Sequence, residues 1–373
     1  MDEQELLYTM ALTYALRHHS KSQRILLDAF GSAKDVYENH SDVSRFFDAI
    51  SSKAAEALAT MSVYLPDCEQ ELAYARAHNI KVLSIHDIDN YPARLRACED
   101  APLILYYLGN ADLNAEHVLS IVGTRKCTER GRELCAAMGR DIAARAGKTL
   151  VISGLAYGID IAAHRAALDN GLPTVAVLAH GLDEIYPSVH RSTAIEMIEH
   201  GGLLTEFTRH TPIDRLNFLQ RNRIVAGLAD ATVVVESPVK GGSLNTARLA
   251  ADYHRDVFAF PGRPTDKVAE GCNNLIRRNG ATLITSAVDL MDDLGWQQQK
   301  AAGEAVQTEL FPALSGDEQR LVEAMQQADA DLSLTELSAI TDIPTFKLMP
   351  MMVELEMKDV VKTMVGQRYH LRR

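Results

Sequence analysis

Four short stretches of the chain place basic and small residues where an apolar strand gives way to a helix. They are "GTRKCTERG" at 123–131, "SGLAYGID" at 153–160, "RNR" at 221–223 and "KGGS" at 240–243. Arginine and lysine donate hydrogen bonds to phosphate oxygens, and glycine-rich turns let an anion approach backbone N–H groups. The four stretches therefore predict an anion-binding site built from several loops.

The spacing excludes the two commonest phosphate-binding motifs. Arg125 stands where a dinucleotide fingerprint needs its second glycine, and no GxxxxGK[ST] motif occurs in the chain. We expect Arg221–Arg223 in the first turns of a helix and a backbone nest for an anion ahead of another helix at 241–243. The predicted contacts are Gly123, Thr124, Arg125, Ser153, Gly154, Arg221, Asn222, Arg223, Lys240, Gly241, Gly242 and Ser243. A fifth stretch, 261–281, adds Arg263, Asn273 and Asn274 or is simply a turn-rich loop.

No catalytic set accompanies these loops. Ser153 has no base or orienting acid near it in the sequence, and GxSxG is absent. His180, Asp183 and His190 are too scattered to predict a metal centre. A site of anion-binding loops without acid, base or nucleophile favours binding over turnover, and we expect no cofactor.

The elements that must position these loops alternate between short β-branched runs and helical segments over residues 79–295. Nine strand segments are predicted: "NIKVLSI", "LILYYLG", "HVLSIVG", "TLVISG", "PTVAVLA", "GLLTEF", "ATVVVES", "DVFAFPG" and "ATLIT". This alternation is typical of a parallel sheet covered by helices on both faces. We predict an α/β fold, an extended Rossmann-like doubly wound sheet, whose ligands sit beyond the carboxyl ends of the strands.

Shorter regions flank this sheet. Residues 1–78 predict a helical SAM/HhH-like domain, with a turn at Phe30-Gly31-Ser32 and Ser32 as the cap of the helix that follows. Residues 296–315 are rich in Gln and Ala and predict a linker. Residues 316–373 have the element order of a winged helix. The last region carries 10 acidic and 7 basic residues, which favours protein contact over duplex phosphate contact.

Composition is that of a globular protein, with 47% hydrophobic and 24% charged residues. The net charge of −12 argues against a nucleic-acid partner, but residues 80–295 are nearly balanced, with 26 acidic and 23 basic residues. A local basic groove is therefore compatible with an acidic chain. The five cysteines form no CxxC pair, and neither a signal peptide nor a long apolar run is evident, so we expect a cytoplasmic protein.

Six motifs, in order along residues 80–295, resemble the signatures of the DNA-processing protein A (DprA, or Smf) family. They are "SIVGTRKCTERG", "VISGLAYGIDIAAHRAAL", "AVLAHGLDEIYP", "LNFLQRNRIVAGLADATVVVES", "GGSLNTARLAADYHRDVFAFPG" and "EGCNNLIRRNGA". The resemblance implies a Rossmann-like domain that binds single-stranded DNA, forms a homodimer, and loads RecA recombinase on incoming DNA in natural transformation. It implies backbone contacts from Arg125 and Lys240, with 153–154 and 221–223 beside the same pocket. Tyr157, Tyr186 and Phe218 are the aromatic candidates for base stacking.

Two other functions share this pattern. A nucleotide phosphoribohydrolase-like enzyme would need a glutamate after its glycine-rich loop, where this chain has Arg248 nearby. A winged-helix regulator with a nucleotide sensor would need a duplex-binding domain that is less acidic. Within the linker, Gln307, Leu310 and Phe311 have the spacing of peptides that bind the bacterial sliding clamp, which makes the clamp a third candidate partner.

Overall fold

The computed structural model describes residues 2–17, 19–39, 50–296, 316–328, 332–358, 360–364 and 368–371. It divides into two compact units, 1–299 and 300–373. Most of the predicted linker and the whole clamp-like segment with Gln307, Leu310 and Phe311 lie outside the described residues. No helix in the described ranges has both the length and the apolar composition needed to cross a bilayer.

The first unit begins with helices. They are α1 (Glu3–Ala15), α2 (Ser20–Phe30), α3 (Ala33–Glu38), α4 (Ser52–Leu58) and α5 (Leu65–Ala77), with a 3₁₀ turn at Met61–Tyr64. The predicted turn lies where expected. Gly31 ends α2 in the left-handed region at φ 84°, and the Ser32 hydroxyl accepts a hydrogen bond from the Asp35 amide at the start of α3.

A nine-stranded sheet follows. Its strands are β1 (Lys81–Ser84), β2 (Ile104–Gly109), β3 (Val118–Val122), β4 (Leu150–Ser153), β5 (Thr174–Val177), β6 (Gly201–Thr205), β7 (Ala231–Val234), β8 (Asp256–Ala259) and β9 (Thr282–Leu283). The helices between and after them are α6 (Ala93–Arg96), α7 (Glu129–Arg145), α8 (Ile159–Asp169), α9 (Arg191–Glu199), α10 (Arg215–Leu228), α11 (Gly242–Asp252), α12 (Glu270–Arg277) and α13 (Ala287–Asp293), with a second 3₁₀ turn at Ser188–His190. All nine predicted strand segments are strands.

The strand order is β1-β2-β6-β5-β4-β3-β7-β8-β9. The seven strands from β6 to β9 run parallel, which confirms a mostly parallel α/β sheet of Rossmann-like type. The two strands nearest the N-terminus differ from the expectation, because β2 pairs antiparallel with β6 and β1 antiparallel with β2. They extend the sheet at the edge that the first helices cover.

The two faces of the sheet carry separate cores. In β3, Leu119 and Ile121 pack with α7 and α8, whereas Val118 and Val122 belong to the core that contains α10 and α11. Successive side chains of a strand point to opposite faces, so a strand with every residue buried must be covered on both. The second core also includes buried residues of α1 and α2, so the N-terminal helices join the sheet in one compact unit.

The second unit is small. It contains α14 (Gly316–Ala328), β10 (Leu332–Ser333), α15 (Leu334–Thr341), α16 (Thr345–Met357), β11 (Val361–Met364) and β12 (Arg368–Leu371). The three strands form an antiparallel sheet in the order β10-β12-β11. Its core is a cluster of aliphatic residues and methionines from all three helices, β10 and β11.

Candidate nucleic-acid interface

The strand order creates one crevice at the carboxyl edge of the sheet. The chain moves outward from β3 to β4, β5 and β6, then returns to β7 on the other side of β3 and moves outward again to β8 and β9. The connections after β3 and β7 therefore diverge, which is the geometry of a ligand-binding switch point. The two connections are held together by a hydrogen bond of 2.7 Å from the Thr124 amide to the Glu236 carbonyl.

The carboxylate of Glu236 lies at the start of α7, the helix that begins at this switch point. The Glu236 carboxylate accepts a hydrogen bond of 2.8 Å from the Thr128 amide and another from the Thr128 hydroxyl. Thr128 in turn caps α7 by accepting from the Gly131 amide at 3.2 Å. A Cβ on Gly131 would lie 2.6 Å from Glu236 Oε2, so only glycine admits the carboxylate this closely. A carboxylate of the protein therefore already lies beside the first turn of α7.

Arg125 lies outside this arrangement and is exposed. Its guanidinium lies 5.1 Å from the centre of the Phe218 ring, and the Phe218 ring meets Tyr186 edge to face at 6.1 Å. Within the described residues Arg125 forms no ion pair, although its charge acts on the carboxyl of Asp160, where burial raises the pKa and Arg125 opposes that rise. Tyr157, on the next connection, is about half exposed and packs against His190. Arg125 of the first predicted loop thus lies with Phe218 and Tyr186 in one cationic and aromatic surface.

Arg221 supports this surface from below. It is 4% exposed, and its Nη2 donates to the Gly154 carbonyl at 3.2 Å. The guanidinium covers Gly154 so closely that a Cβ there would lie 1.8 Å from Nη1. Burial lowers the pKa of Arg221, an effect that the negative Asp160 opposes, and burial raises the pKa of Asp160 against the opposing charge of Arg221. Arg221 therefore braces the turn after β4 instead of reaching the surface.

Four of the predicted contacts differ from the expectation in position or in burial. Arg221–Arg223 occupies the middle of α10, because Asp214 caps the helix and begins it at Arg215. Arg223 is buried, pairs with Glu206 and donates to the Asp100 carbonyl, so it fixes α10 to the sheet. Ser153 is fully buried and donates to the Ile121 carbonyl at 2.6 Å. Ser153 and Arg223 are therefore packing residues and not ligand contacts, which corrects the expectation. Asn222, between the two arginines, is partly exposed.

The fourth loop retains the expected character. Lys240 is exposed, and Gly241 precedes α11 without a capping side chain. The Ser243 hydroxyl is turned inward, where it donates to Ser237 at 2.9 Å. The described residues supply no side-chain acceptor for the amides of Gly242 and Ser243, which leaves the start of α11 open to an anion.

A groove of about 930 Å³ continues from the switch point along the fifth stretch. Arg130, Arg263 and Lys267 line it together with the buried side of Glu236. The side-chain amide of Asn273 is not available to a ligand, because it accepts from the Gly262 amide and donates to the Gly262 carbonyl.

The sequence did not predict Arg215 as a site residue. It is exposed at the start of α10, three positions before Phe218 and on the same side of the helix.

Comparisons with known proteins agree with one another. A family model described as DNA recombination-mediator protein A matches residues 81–295. A Mycobacterium tuberculosis protein named "Putative DNA processing protein DprA" is 40% identical over 246 residues, which is 65% of this chain and 62% of that protein. The DNA processing protein DprA of Streptococcus pneumoniae is 38% identical over 203 residues, covering 54% and 71% of the two chains. The chain thus spans less than two thirds of the Mycobacterium relative.

Solved structures give the same result. The crystal structure of DNA processing protein A from Streptococcus pneumoniae is similar at a TM-score of 0.57 and 31% identity, over 69% of this chain and 93% of that one. DNA processing protein A from Helicobacter pylori, described for its mode of single-stranded DNA binding, is similar at a TM-score of 0.52 and 28% identity, over 58% and 95%.

The contacts of Glu236 predict that its replacement lowers the free energy of unfolding. Replacement by Ala leaves the Thr128 amide and hydroxyl without their acceptor and removes the negative charge from the start of α7, so we expect the sheet-containing unit to lose about 1–3 kcal/mol. Glu236→Gln keeps one acceptor and should lose less. Urea unfolding measures both, with Glu133→Ala, an exposed site on the same helix, as the control expected within about 0.5 kcal/mol of wild type. Equal stability of Glu236→Ala and the control would contradict this role.

The buried pair of Arg223 and Glu206 predicts that the stability of an Arg223 variant depends on pH. Arg223→Ala leaves a buried carboxylate unpaired, and we expect a loss of about 3–5 kcal/mol at pH 7. Burial already raises the pKa of Glu206 against the opposing Arg223, and removal of the arginine raises it further. A carboxyl whose pKa is higher in the folded than in the unfolded state stabilises the fold as pH falls.

The deficit of Arg223→Ala should therefore shrink between pH 7 and pH 5. The double variant Arg223→Ala, Glu206→Gln should recover part of the stability at pH 7 and lose the pH dependence. Urea unfolding at the two pH values measures both effects. A deficit that grows on acidification would show that Glu206 is not the unpaired charge.

Proposed function

The chain belongs to the DNA recombination-mediator protein A family, and from that premise we propose that it binds single-stranded DNA at the carboxyl edge of its parallel sheet. The observation that carries this proposal is the exposed Arg125, which lies over the Phe218 ring at the switch point. Single-stranded DNA needs cations that follow its phosphates and aromatic faces on which bases stack, with no reading of base edges. The Helicobacter pylori relative is described by its single-stranded DNA binding.

The phosphate contacts in this proposal come from two sides of the crevice. Arg125 and Arg215 lie on the side of Phe218, whereas Lys240 and the open amides of Gly242 and Ser243 lie beyond β7. Gly123 and Thr124 shape the first turn, and Gly154, held by Arg221, shapes the second. Because the Glu236 carboxylate lies at the start of α7, the anion in this proposal is held by side chains on one side of the crevice and by the start of α11 on the other.

Bases would stack on Phe218, Tyr186 and Tyr157. The first two already meet edge to face, and all three are at least partly exposed. Every base has a π face, so such contacts bind a strand with little preference for sequence. Arg125 adds a cation to the same aromatic surface.

We assign this binding to DNA processing in natural transformation, in which the protein protects the incoming strand and loads RecA recombinase without catalysis. The family resemblance supports this role, and it also supports a homodimer through the Rossmann-like domain. The spacing of Gln307, Leu310 and Phe311 supports a further contact with the sliding clamp. A phosphoribohydrolase activity is disfavoured, because Arg248 pairs with Asp252 on the exposed side of α11 where the enzyme would need a glutamate.

We further propose the domain assignment 1–78, 79–295 and 316–373, with a SAM/HhH-like helical module first and a winged helix last. The order helix, strand, two helices and two strands supports the winged helix. The outward side of α16, the helix that reads duplex DNA in many such domains, exposes Phe346, Met349 and Val353. An exposed apolar stripe suits protein contact better than phosphate contact.

Salt dependence tests the phosphate contacts. Arg125→Ala and Lys240→Ala should each weaken the binding of single-stranded oligonucleotides of unrelated sequence to a similar degree. Each should also reduce the slope of log K against log salt by about 0.7 per lost contact. Lys148→Ala removes the same charge at the opposite edge of the sheet and is the matched control. Fluorescence anisotropy across salt concentrations gives both quantities, and slopes equal to wild type in both variants would remove these residues from the interface.

Stacking is tested by a neutral substitution. Phe218→Ala should weaken single-strand binding by about 1–3 kcal/mol, because a stacked base loses its partner. The salt slope should change by less than it does in Arg125→Ala, since no charge is removed. Phe218→Tyr should retain most of the affinity, and Ile195→Ala, an exposed apolar deletion on α9, should retain all of it. Full affinity in Phe218→Ala would exclude stacking at this position.

A further inference from the structure

A second cavity lies on the other side of α10 from Phe218. It has a volume of about 410 Å³ and is enclosed by α1, α2, β2 and the connection from β6 into α10. Met10, Ile104 and Tyr106 form a buried apolar floor. A cavity of this size, mostly apolar with a few fixed polar groups, has the form of a site for one small molecule.

Gln23 supplies a fixed acceptor in this cavity. Its side chain is 3% exposed, and Nε2 donates to the Leu16 carbonyl at 2.9 Å and to the Thr13 carbonyl at 3.4 Å. These two carbonyls determine which way the amide is turned, so Oε1 is left to accept a hydrogen bond. The described residues provide no donor for it. Because Gln23 lines the cavity, this acceptor can bind a donor of a molecule that enters it.

The walls and the mouth of the cavity add aromatic surface and a cation. Tyr14 and Phe207 line the walls, and Arg17 lies exposed at the mouth. Two acids also line the cavity. Glu206 pairs with Arg223 through Oε2, while its buried Oε1 has no hydrogen-bond partner among the described residues. Asp214 accepts from the Leu216 amide at 2.7 Å as the cap of α10. Arg17 forms no ion pair with the described residues, so its charge is available to an anion.

A ligand with a flat ring, an N–H donor and an anionic group would match the aromatic walls, the Gln23 acceptor and Arg17. We propose that this cavity binds a nucleotide, with the base between Tyr14 and Phe207, a base N–H donating to Gln23 Oε1, and the phosphate at Arg17. The same chemistry is offered by a free nucleotide and by the 5′-phosphorylated end of a single strand. The site is separate from the Arg125 surface, and neither proposal requires the other.

The proposal is tested by titrating the full chain with dAMP, dGMP, dCMP and dTMP. Calorimetry measures binding, and thermal unfolding measures the change in Tm. At least one of the four should bind and raise Tm with concentration, more strongly than its nucleoside or inorganic phosphate alone. Arg17→Ala should weaken nucleotide binding by about tenfold or more, because a charged hydrogen bond is lost. It should leave nucleoside binding unchanged. Lys21→Ala, an exposed lysine on α2 outside the cavity, is the matched control and should bind as wild type does.

Two further variants separate binding from folding. Gln23→Met keeps the volume and removes the acceptor, whereas Ser20→Trp fills the cavity without changing Gln23. Both should abolish the response to nucleotide. No change in Tm with any nucleotide at millimolar concentration, or wild-type affinity in both Arg17→Ala and Ser20→Trp, would overturn the proposal.

The source of the nucleotide is tested in an Arg125→Ala background, where binding at the sheet edge is weakened. Competition with a 5′-phosphorylated oligonucleotide, the same oligonucleotide without phosphate, and a circular single strand distinguishes the two. Displacement of the nucleotide by the phosphorylated strand alone identifies a strand end as the ligand. Displacement by none of the three identifies the free nucleotide. Displacement of the nucleotide by the circular strand would overturn the assignment to this cavity, because a circle has no end to place there.

Discussion

The carboxylate of Glu236 at the start of α7 is the interaction on which the rest of the crevice depends. In a dinucleotide-binding sheet, the pyrophosphate lies against the first helix after the central strand. Here Glu236 takes that place through Thr128, and Gly131 admits it by having no side chain. The internal carboxylate stabilises the start of α7 and places a negative charge there. Under the proposed function, the phosphate contacts therefore come from Arg125 and from the loop before α11.

The sequence predicted the fold because local signals and tertiary structure agree along most of the chain. Each strand of the parallel sheet is an apolar run that ends at a turn, and caps such as Ser32 and Thr128 are visible as residue types. Strand direction was not visible. An antiparallel strand covered on both faces has the same composition as a parallel one, so β2 reads as another parallel strand although it runs the opposite way.

The site was predicted less completely, and the three arginine and serine positions show why. Arg221 and Arg223 are buried by Gly154 and Glu206, which lie 67 and 17 residues away in the sequence. No local pattern distinguishes an arginine that meets such a partner from one that faces solvent. The start of α10 added to the error, because Asp214 caps a helix that begins at Arg215 and so places Arg221–Arg223 in its middle, beyond the first turns where they were expected.

The net charge of −12 does not describe how charge is distributed between buried and exposed residues. Several carboxylates of the sheet domain are buried and engaged, among them Glu236 at α7 and Glu206 with Arg223. Arg223 compensates the charge of Glu206, whereas Glu236 has only neutral donors and keeps its negative charge at the start of α7. Arg125, Arg215 and Lys240 are exposed at the carboxyl edge and form no ion pair within the described part of the chain. Screening over about 10 Å limits the effect of distant acids on these three cations, so the formal charge of the chain says little about this edge.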